Sequence, residues 1–217
     1  MGLERIWPDS APVTADELVG EAAALPEGRP WVSGIMVSSL DGRATLEGTS
    51  RKLGGPHDLQ MLLALRRHAD ALIVGPRTVA AEGYGPLPCP AVLVSRSFEL
   101  PWEAGLFAAP GQRVLVYTRT GAEAPEVAAE VEVVEELELT AVLADLRARG
   151  VERLLCEGGP TLNRALLDAG VLDELFVTVS PVVSGEGPPI VTDGPSTPLN
   201  LRSVATADGE LYLRYSV

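Results

Sequence analysis

The chain has 217 residues, 46% of them hydrophobic and 22% charged, which is the make-up of a globular protein long enough to bury one sizeable core. A net charge of −13 with no basic cluster interleaved with aromatics excludes a phosphate backbone as partner and disfavours an anionic membrane surface. Cys89 and Cys156 are too few for a disulfide framework or a cysteine-rich metal site, and neither His57 nor His68 begins a His-x-Glu pattern, so buried free thiols and no metal are expected. No run of about 18 apolar residues occurs and the first 30 residues lack a leader pattern, so a cytoplasmic protein is expected.

In chain order, residues 1–29 read as an arm carrying a short helix from about 15 to 25, with Thr14 and Glu17 spaced as a capping box. Residues 30–217 read as one domain. "WVSGIMVSSL" (31–40) is strand-like, and a polar, glycine-bearing loop follows it. "PHDLQMLLALRRHA" (56–69) has helical spacing and leads into the apolar run "DALIVG" (70–75), typical of a buried parallel strand. A helix near 76–82, strands at 91–95, 113–117 and 131–134, a helix at 140–149 and the strand "VERLLCE" continue the alternation. Pro160 then opens a helix that Gly170 closes. The last third changes character: three strands follow without helices, and "ADGE" marks a tight hairpin between the final two. The implied fold is α/β, a mixed and mostly parallel sheet flanked by helices, with antiparallel strands at its C-terminal end.

Three glycine- or serine-marked turns follow strands, and ligands of open α/β sheets gather at the carboxyl ends of strands. At "VGPRT", Gly75 and Thr78 open a helix with free N–H groups and a hydroxyl. At "VSRS", Ser95 and Arg96 present a hydroxyl and a guanidinium suited to a phosphate monoester. At "CEGGPT", Gly158, Gly159, Pro160 and Thr161 form a helix start where a pyrophosphate finds amides and the positive end of a dipole. Each has a plainer reading as well: a glycine required by the turn, Thr78 as a helix cap, Arg96 as a solvated side chain. None fits G-x-G-x-x-G, which argues against an ordinary Rossmann dehydrogenase. In "SSLDGRATLEGTS", Asp41-Gly42 is either a simple turn or an acid beside a polar loop of Ser38, Ser39, Thr45, Thr49 and Ser50 where a substrate can lie.

The segments "SSLDGRAT", "ALIVGPRTVAAEG" and "LLCEGGPTLNRALLDAGVLDELFVTVSPVVSG", in that order, resemble the riboflavin-biosynthesis pyrimidine reductase family, which is similar in fold to dihydrofolate reductase. The resemblance spans roughly residues 30 to 216. It implies an NADPH-dependent, typically homodimeric reductase of 5-amino-6-(5-phosphoribosylamino)uracil, here without the zinc deaminase domain often fused upstream. It further implies that Gly158, Gly159, Pro160, Thr161 and Leu162 bind the cofactor together with Gly75, Thr78, Ser95 and Arg96. Glu82 matches an acidic position beside cofactor and substrate; Ser39 and Ser50 fall on the substrate side, and Asp41 near the reacting centre as proton donor or ribose anchor. The chain departs from the family pattern at "AEGYGPL" (81–87), where Gly83 and Tyr84 are expected to alter the pocket wall, and at "KL" (52–53). Those departures keep two other readings open: reduction of a pterin such as dihydrofolate in the same cleft, and a non-catalytic, NADPH-binding regulatory module.

Overall fold

The structure, a computed structural model, describes residues 2–20, 24–119 and 121–217. In chain order its elements are β1 (Glu4–Trp7), β2 (Ala11–Pro12), α1 (Ala15–Val19), β3 (Trp31–Ser39), a 3₁₀ turn at Ser50–Lys52, α2 (Pro56–His68), β4 (Ala71–Ile73), α3 (Pro76–Glu82), β5 (Ala91–Val94), β6 (Arg113–Thr118), β7 (Glu130–Glu135), α4 (Leu139–Ala148), β8 (Arg153–Cys156), α5 (Pro160–Asp168), β9 (Glu174–Ser180), β10 (Asn200–Ala207) and β11 (Glu210–Ser216). The strands join in one sheet of order β2-β1-β10-β11-β9-β3-β8-β4-β5-β6-β7. From β9 to β7 all neighbours are parallel, and from β9 outward to β2 all are antiparallel. The mixed sheet read from the sequence is therefore the observed one.

Two core layers sandwich the sheet. On one face Val142, Leu143 and Leu146 of α4 and Leu166 of α5 pack on Val32, Ile73, Val92 and Cys156. On the other, Leu18 of α1 and Met61, Ala64 and Leu65 of α2 cover Ile35, Leu72, Leu155 and Phe176. Beside them Val79 of α3 and the loop residues Leu106 and Phe107 cover Val74, Leu93 and Val116. Cys156 is a free, fully buried thiol, and burial pushes its pKa up to about 12.

Local signals account for the element ends. The capping box is formed: the Glu17 N–H donates to Thr14 Oγ1 at 3.2 Å, and the Thr14 N–H donates to the Glu17 carboxylate at 2.7 Å. The helix pattern runs on to about residue 25, but α1 ends at Val19, where Gly20 takes a φ of +71°; residues 21–23 of that expectation lie outside the described residues. Asp208 and Gly209, both with positive φ, turn β10 into β11 as the "ADGE" signal requires. The arm differs from expectation, for it also supplies β1 and β2 at one edge of the sheet, with β1 paired to β10. Short, mostly exposed strands punctuated by Pro8 and Pro12 carry no alternating apolar pattern, so the sequence gives no strand signal there. At the opposite edge β7, "EVEVVE", exposes Glu130, Glu132 and Glu135.

Candidate active site

Four parallel strands, β3, β8, β4 and β5, stand side by side, so the segments that follow them share one rim: Asp41-Gly42, Gly158-Gly159, Gly75-Pro76 and Ser95-Arg96. The sequence places β8 late in the chain, and the sheet inserts it between β3 and β4. That insertion is what brings the EGGPT turn between the SLDG turn and the GPRT turn.

The two glycine turns are bonded to each other. The Gly75 N–H donates to the Gly158 carbonyl at 2.9 Å, and the Glu157 N–H donates to the Ile73 carbonyl at 3.1 Å. Gly158 has a φ of +85°, and a Cβ there would lie 2.8 Å from Met36 Sδ, so this glycine is required by the fold itself. At Gly159 a Cβ would lie 2.8 Å from Thr78 Oγ1, so the absence of a side chain keeps a gap beside that hydroxyl. Gly159 and Gly75 are the N-caps of α5 and α3, and neither helix has a side-chain cap. Two uncapped helix starts thus converge with a hydroxyl between them; Pro76 and Pro160 bring no N–H, and the Gly75 and Thr78 amides donate to the Gly158 and Gly75 carbonyls, so the donors that suit phosphate oxygens are the Thr78 hydroxyl and the first-turn amides of Thr161 and Leu162 on α5 and Arg77 on α3. Thr78 is not the N-cap of α3: it sits three residues beyond Gly75, which leaves its hydroxyl toward Gly159. Thr161 is exposed and Leu162 half-buried in the first turn of α5. At the end of β5, Ser95 is buried with its N–H on the Tyr117 carbonyl, and Arg96 is exposed.

On the other side, Asp41 is a clasp. Its Oδ1 accepts from Ser39 Oγ at 2.7 Å and from the Ser184 N–H at 2.9 Å, and its Oδ2 accepts from the Gly185 N–H at 2.9 Å. Ser39 Oγ in turn accepts from the Arg43 N–H at 2.9 Å. These donors, the Ser39 hydroxyl first, hold the Asp41 carboxyl down to about 2. The carboxylate is thus held ionised near neutrality by three donors just beyond the end of β3.

Glu82 closes a second clasp. Its carboxylate accepts from Thr49 Oγ1 at 2.9 Å and from the Ser50 N–H at 2.8 Å, tying the end of α3 to the polar loop. Thr78 and Glu82, four apart on α3, therefore serve opposite sides of the rim: Thr78 faces the glycine turn and Glu82 the loop.

Sequence reasoning missed two groups. Glu157, its side chain only 3% exposed, receives Arg66 Nε at 2.6 Å and Nη2 at 2.7 Å from α2, and the Tyr84 hydroxyl at 2.7 Å. Burial and this carboxylate push the Tyr84 phenol well above its ordinary value, so it stays a donor. Tyr84, expected to reshape the pocket wall, instead directs its hydroxyl inward onto Glu157. The second group is Asp58, Thr178, Glu210 and Tyr212, between the start of α2 and the antiparallel strands. An acid inside an apolar run was the available signal for Glu157; Asp58 gave none, because acids are common in a first helical turn.

Comparison with known proteins then decides the family. Residues 30–212 match the model of the RibD C-terminal domain. The chain belongs to the RibD C-terminal domain family. It is 31% identical over 179 residues to the 2,5-diamino-6-ribosylamino-4(3H)-pyrimidinone 5′-phosphate reductase of Methanothermobacter thermautotrophicus, covering 72% of this chain and 80% of that one. It is 30% identical over 194 residues to the protein of the same name from Archaeoglobus fulgidus, covering 77% and 88%. Among solved structures, a pyrimidine reductase-like protein from Corynebacterium diphtheriae superposes with a TM-score of 0.76 at 27% identity, covering 94% of this chain and 99% of that one. Dihydrofolate reductase from Enterococcus faecalis, solved with NADP(H), shares the fold at a TM-score of 0.55 and 18% identity, covering 89% of this chain and 98% of that one. Among the described residues no helix is long and apolar enough to cross a membrane, and no group of three or more potential ligand side chains is placed to hold a metal ion.

Proposed function

We propose that this RibD-family chain is an NADPH-dependent reductase of a 5-amino-6-(5-phosphoribosylamino)pyrimidine, acting at the ribosyl C1′ in riboflavin biosynthesis. The observation that carries the reading is the pair of uncapped helix starts at Gly75 and Gly159, with Thr78 Oγ1 facing a gap that a Cβ on Gly159 would fill. Those residues, with Thr161 and Leu162, would hold the pyrophosphate, and Ser95 and Arg96 the 2′-phosphate of the adenosine. When bound, NADPH supplies the hydride that adds to C1′ of the ring-opened imine, whose C=N electrons pass to the nitrogen as it takes up a proton. The chain's own part is orientation. Asp41 and Glu82, each held by several donors, fix the two walls of the loop against which the ribosyl phosphate would lie. The expected result is NADPH oxidation that depends on the phosphoribosylaminopyrimidine and yields its ribitylamino product; NADPH binding without turnover of any such pyrimidine would refute the reading.

The protein would act as a homodimer. Leu201 and Leu211 are 37% and 40% exposed on the face of β10 and β11 opposite α1 and α2, beside half-buried Leu213 and Tyr215. An apolar sheet face of this kind suits a second copy of the same surface. Light scattering should give twice the monomer mass and should give the monomer for Leu211→Lys; a monomeric wild type would overturn this.

A further inference from the structure

Residues 181–199, between β9 and β10, form no helix or named strand, yet they are tied down along their length. At the near end they lie along the loop that follows β3. The Ser184 and Gly185 N–H groups donate to the Asp41 carboxylate, each at 2.9 Å, and the Ser184 hydroxyl donates to the Thr45 carbonyl at 3.0 Å. The Ala44 N–H donates to the Pro188 carbonyl at 2.8 Å, and Arg43 and Pro189 form an antiparallel bridge. At the far end the same segment is fastened to α5. The Thr192 N–H donates to the Pro160 carbonyl at 3.3 Å, and Arg164 Nη1 donates to the Pro195 carbonyl at 3.0 Å. Between these lies the contact of Asn163 Nδ2 with the Ile190 carbonyl at 2.7 Å. The segment is thus a strap from the Asp41 loop to the helix that starts at the glycine turn, and Pro188, Pro189, Pro195 and Pro198 stiffen it by fixing φ.

Asn163 is the buried side chain among these ties, 3% exposed in the first turn of α5, directly after the Thr161 and Leu162 amides. A Cβ on Gly158 would lie 3.8 Å from its Nδ2, so the amide also stands beside the glycine turn. Its orientation is fixed from behind: the fully buried Cys156 thiol, kept protonated by that burial, donates to Asn163 Oδ1 at 3.4 Å and leaves Nδ2 for the strap. Both ends of one amide are therefore committed, one to the strand that leads into the glycine turn and one to the strap.

We propose that Asn163 is a positioning residue that couples the two ligands: NADPH seated on the first turn of α5 orders the strap through Asn163, and the strap orders the Asp41 loop for the phosphoribosylaminopyrimidine. The inference rests on the reductase reading above. The first ligand meets the ordering cost of a shared element, so the second binds more tightly, and the gain is reciprocal. Asn163 touches neither ligand in this scheme and acts through the backbone of the strap.

The test uses the full chain with NADP+, which carries no hydride and so permits binding without turnover, and 2,5-diamino-6-ribosylamino-4(3H)-pyrimidinone 5′-phosphate. By titration calorimetry, saturating NADP+ should tighten the pyrimidine by about 5-fold or more, and the pyrimidine should tighten NADP+ by the same factor. Asn163→Leu removes both polar ends without adding charge; the factor should fall toward one, and at saturating NADPH the KM for the pyrimidine should rise about 5-fold or more with kcat changed less. A merely structural asparagine would lower the melting temperature and leave the factor intact, and that result overturns the proposal. Hydrogen exchange on the wild type tests it without any variant: NADP+ should slow the amides of Ser184, Gly185 and Thr192, and unchanged exchange at all three overturns it. If both ligands bind and neither affects the other, the coupling fails alone, whereas failure of NADP+ or the pyrimidine to bind at all sinks the reductase reading itself.

Discussion

Replacing Tyr84 by phenylalanine removes one hydroxyl from the contact with Glu157 and leaves the ring in place. The lost bond is a 2.7 Å O–H donation to a carboxylate whose side chain is 3% exposed. Arg66 keeps both of its bonds to Glu157, so the carboxylate is not orphaned, and the cost is that of one hydrogen bond to a charged group, about 1.5–3 kcal/mol. For a chain of this size each kcal/mol moves the melting temperature by about 2–4 °C, so Tyr84→Phe should melt roughly 3–12 °C lower. Urea unfolding should show the same loss as a lower midpoint at unchanged slope. Because Glu157 leads directly into Gly158, the variant should also bind NADPH a few-fold more weakly in a fluorescence titration. Glu157→Gln is harsher, since it leaves a half-buried Arg66 without its counter-charge and should cost about 3–5 kcal/mol. A Tyr84→Phe protein within about 0.5 kcal/mol of the wild type, the range of an indifferent surface change, would refute the reasoning and make the phenol a bystander.

Other expected outcomes are as specific. Arg96→Ala should weaken NADPH by about 1.5–3 kcal/mol and leave NADH nearly unchanged, and equal losses for both cofactors would reject a 2′-phosphate contact. Gly159→Val places methyls on Thr78 Oγ1 and should abolish NADPH binding in a protein that still folds by circular dichroism; unaltered affinity would return the turn to a purely structural role. Asp41→Asn turns an acceptor into a donor facing either an N–H or a hydroxyl, so kcat/KM should fall about 10²-fold through misplacement of the substrate loop, with NADPH affinity intact. Since the folded-state pKa of Asp41 is depressed to about 2, the contribution of its clasp is fully present above the ordinary carboxylate range and is lost only as pH falls toward that value. A loss of wild-type activity between pH 7 and 5 must then come from another group, and a loss that Asp41→Asn abolishes would contradict this.

Local chemistry made much of this legible in the chain. The capping box at Thr14, the proline that opens α5, the Asp208-Gly209 hairpin and the apolar runs of β4 and β8 are decided by neighbours a few residues apart, and the structure has them where the sequence puts them. The three turns share a rim because each ends a parallel strand. What stayed hidden is non-local. Arg66 and Glu157 meet across 91 residues of chain, and Glu82 reaches back 32 to Ser50. No periodicity encodes such pairs. Asp58 looks like any first-turn acid until β9 is laid beside it, and Tyr84 looks like a loop aromatic until Glu157 is buried beneath it.

An eleven-stranded sheet ends in two edges, and each is poorly suited to taking on a further strand. At one end β2 is two residues long and finishes in Pro12, which has no N–H to offer. At the other, a newcomer pairing with β7 would have to lie along Glu130 and Glu135 on opposite faces and Glu132, which Arg149 already pairs, so its side chains would meet acids on both sides of the sheet. A sheet this wide is a ready template for endless growth, and its terminal strands keep it a finite object even when many copies crowd together.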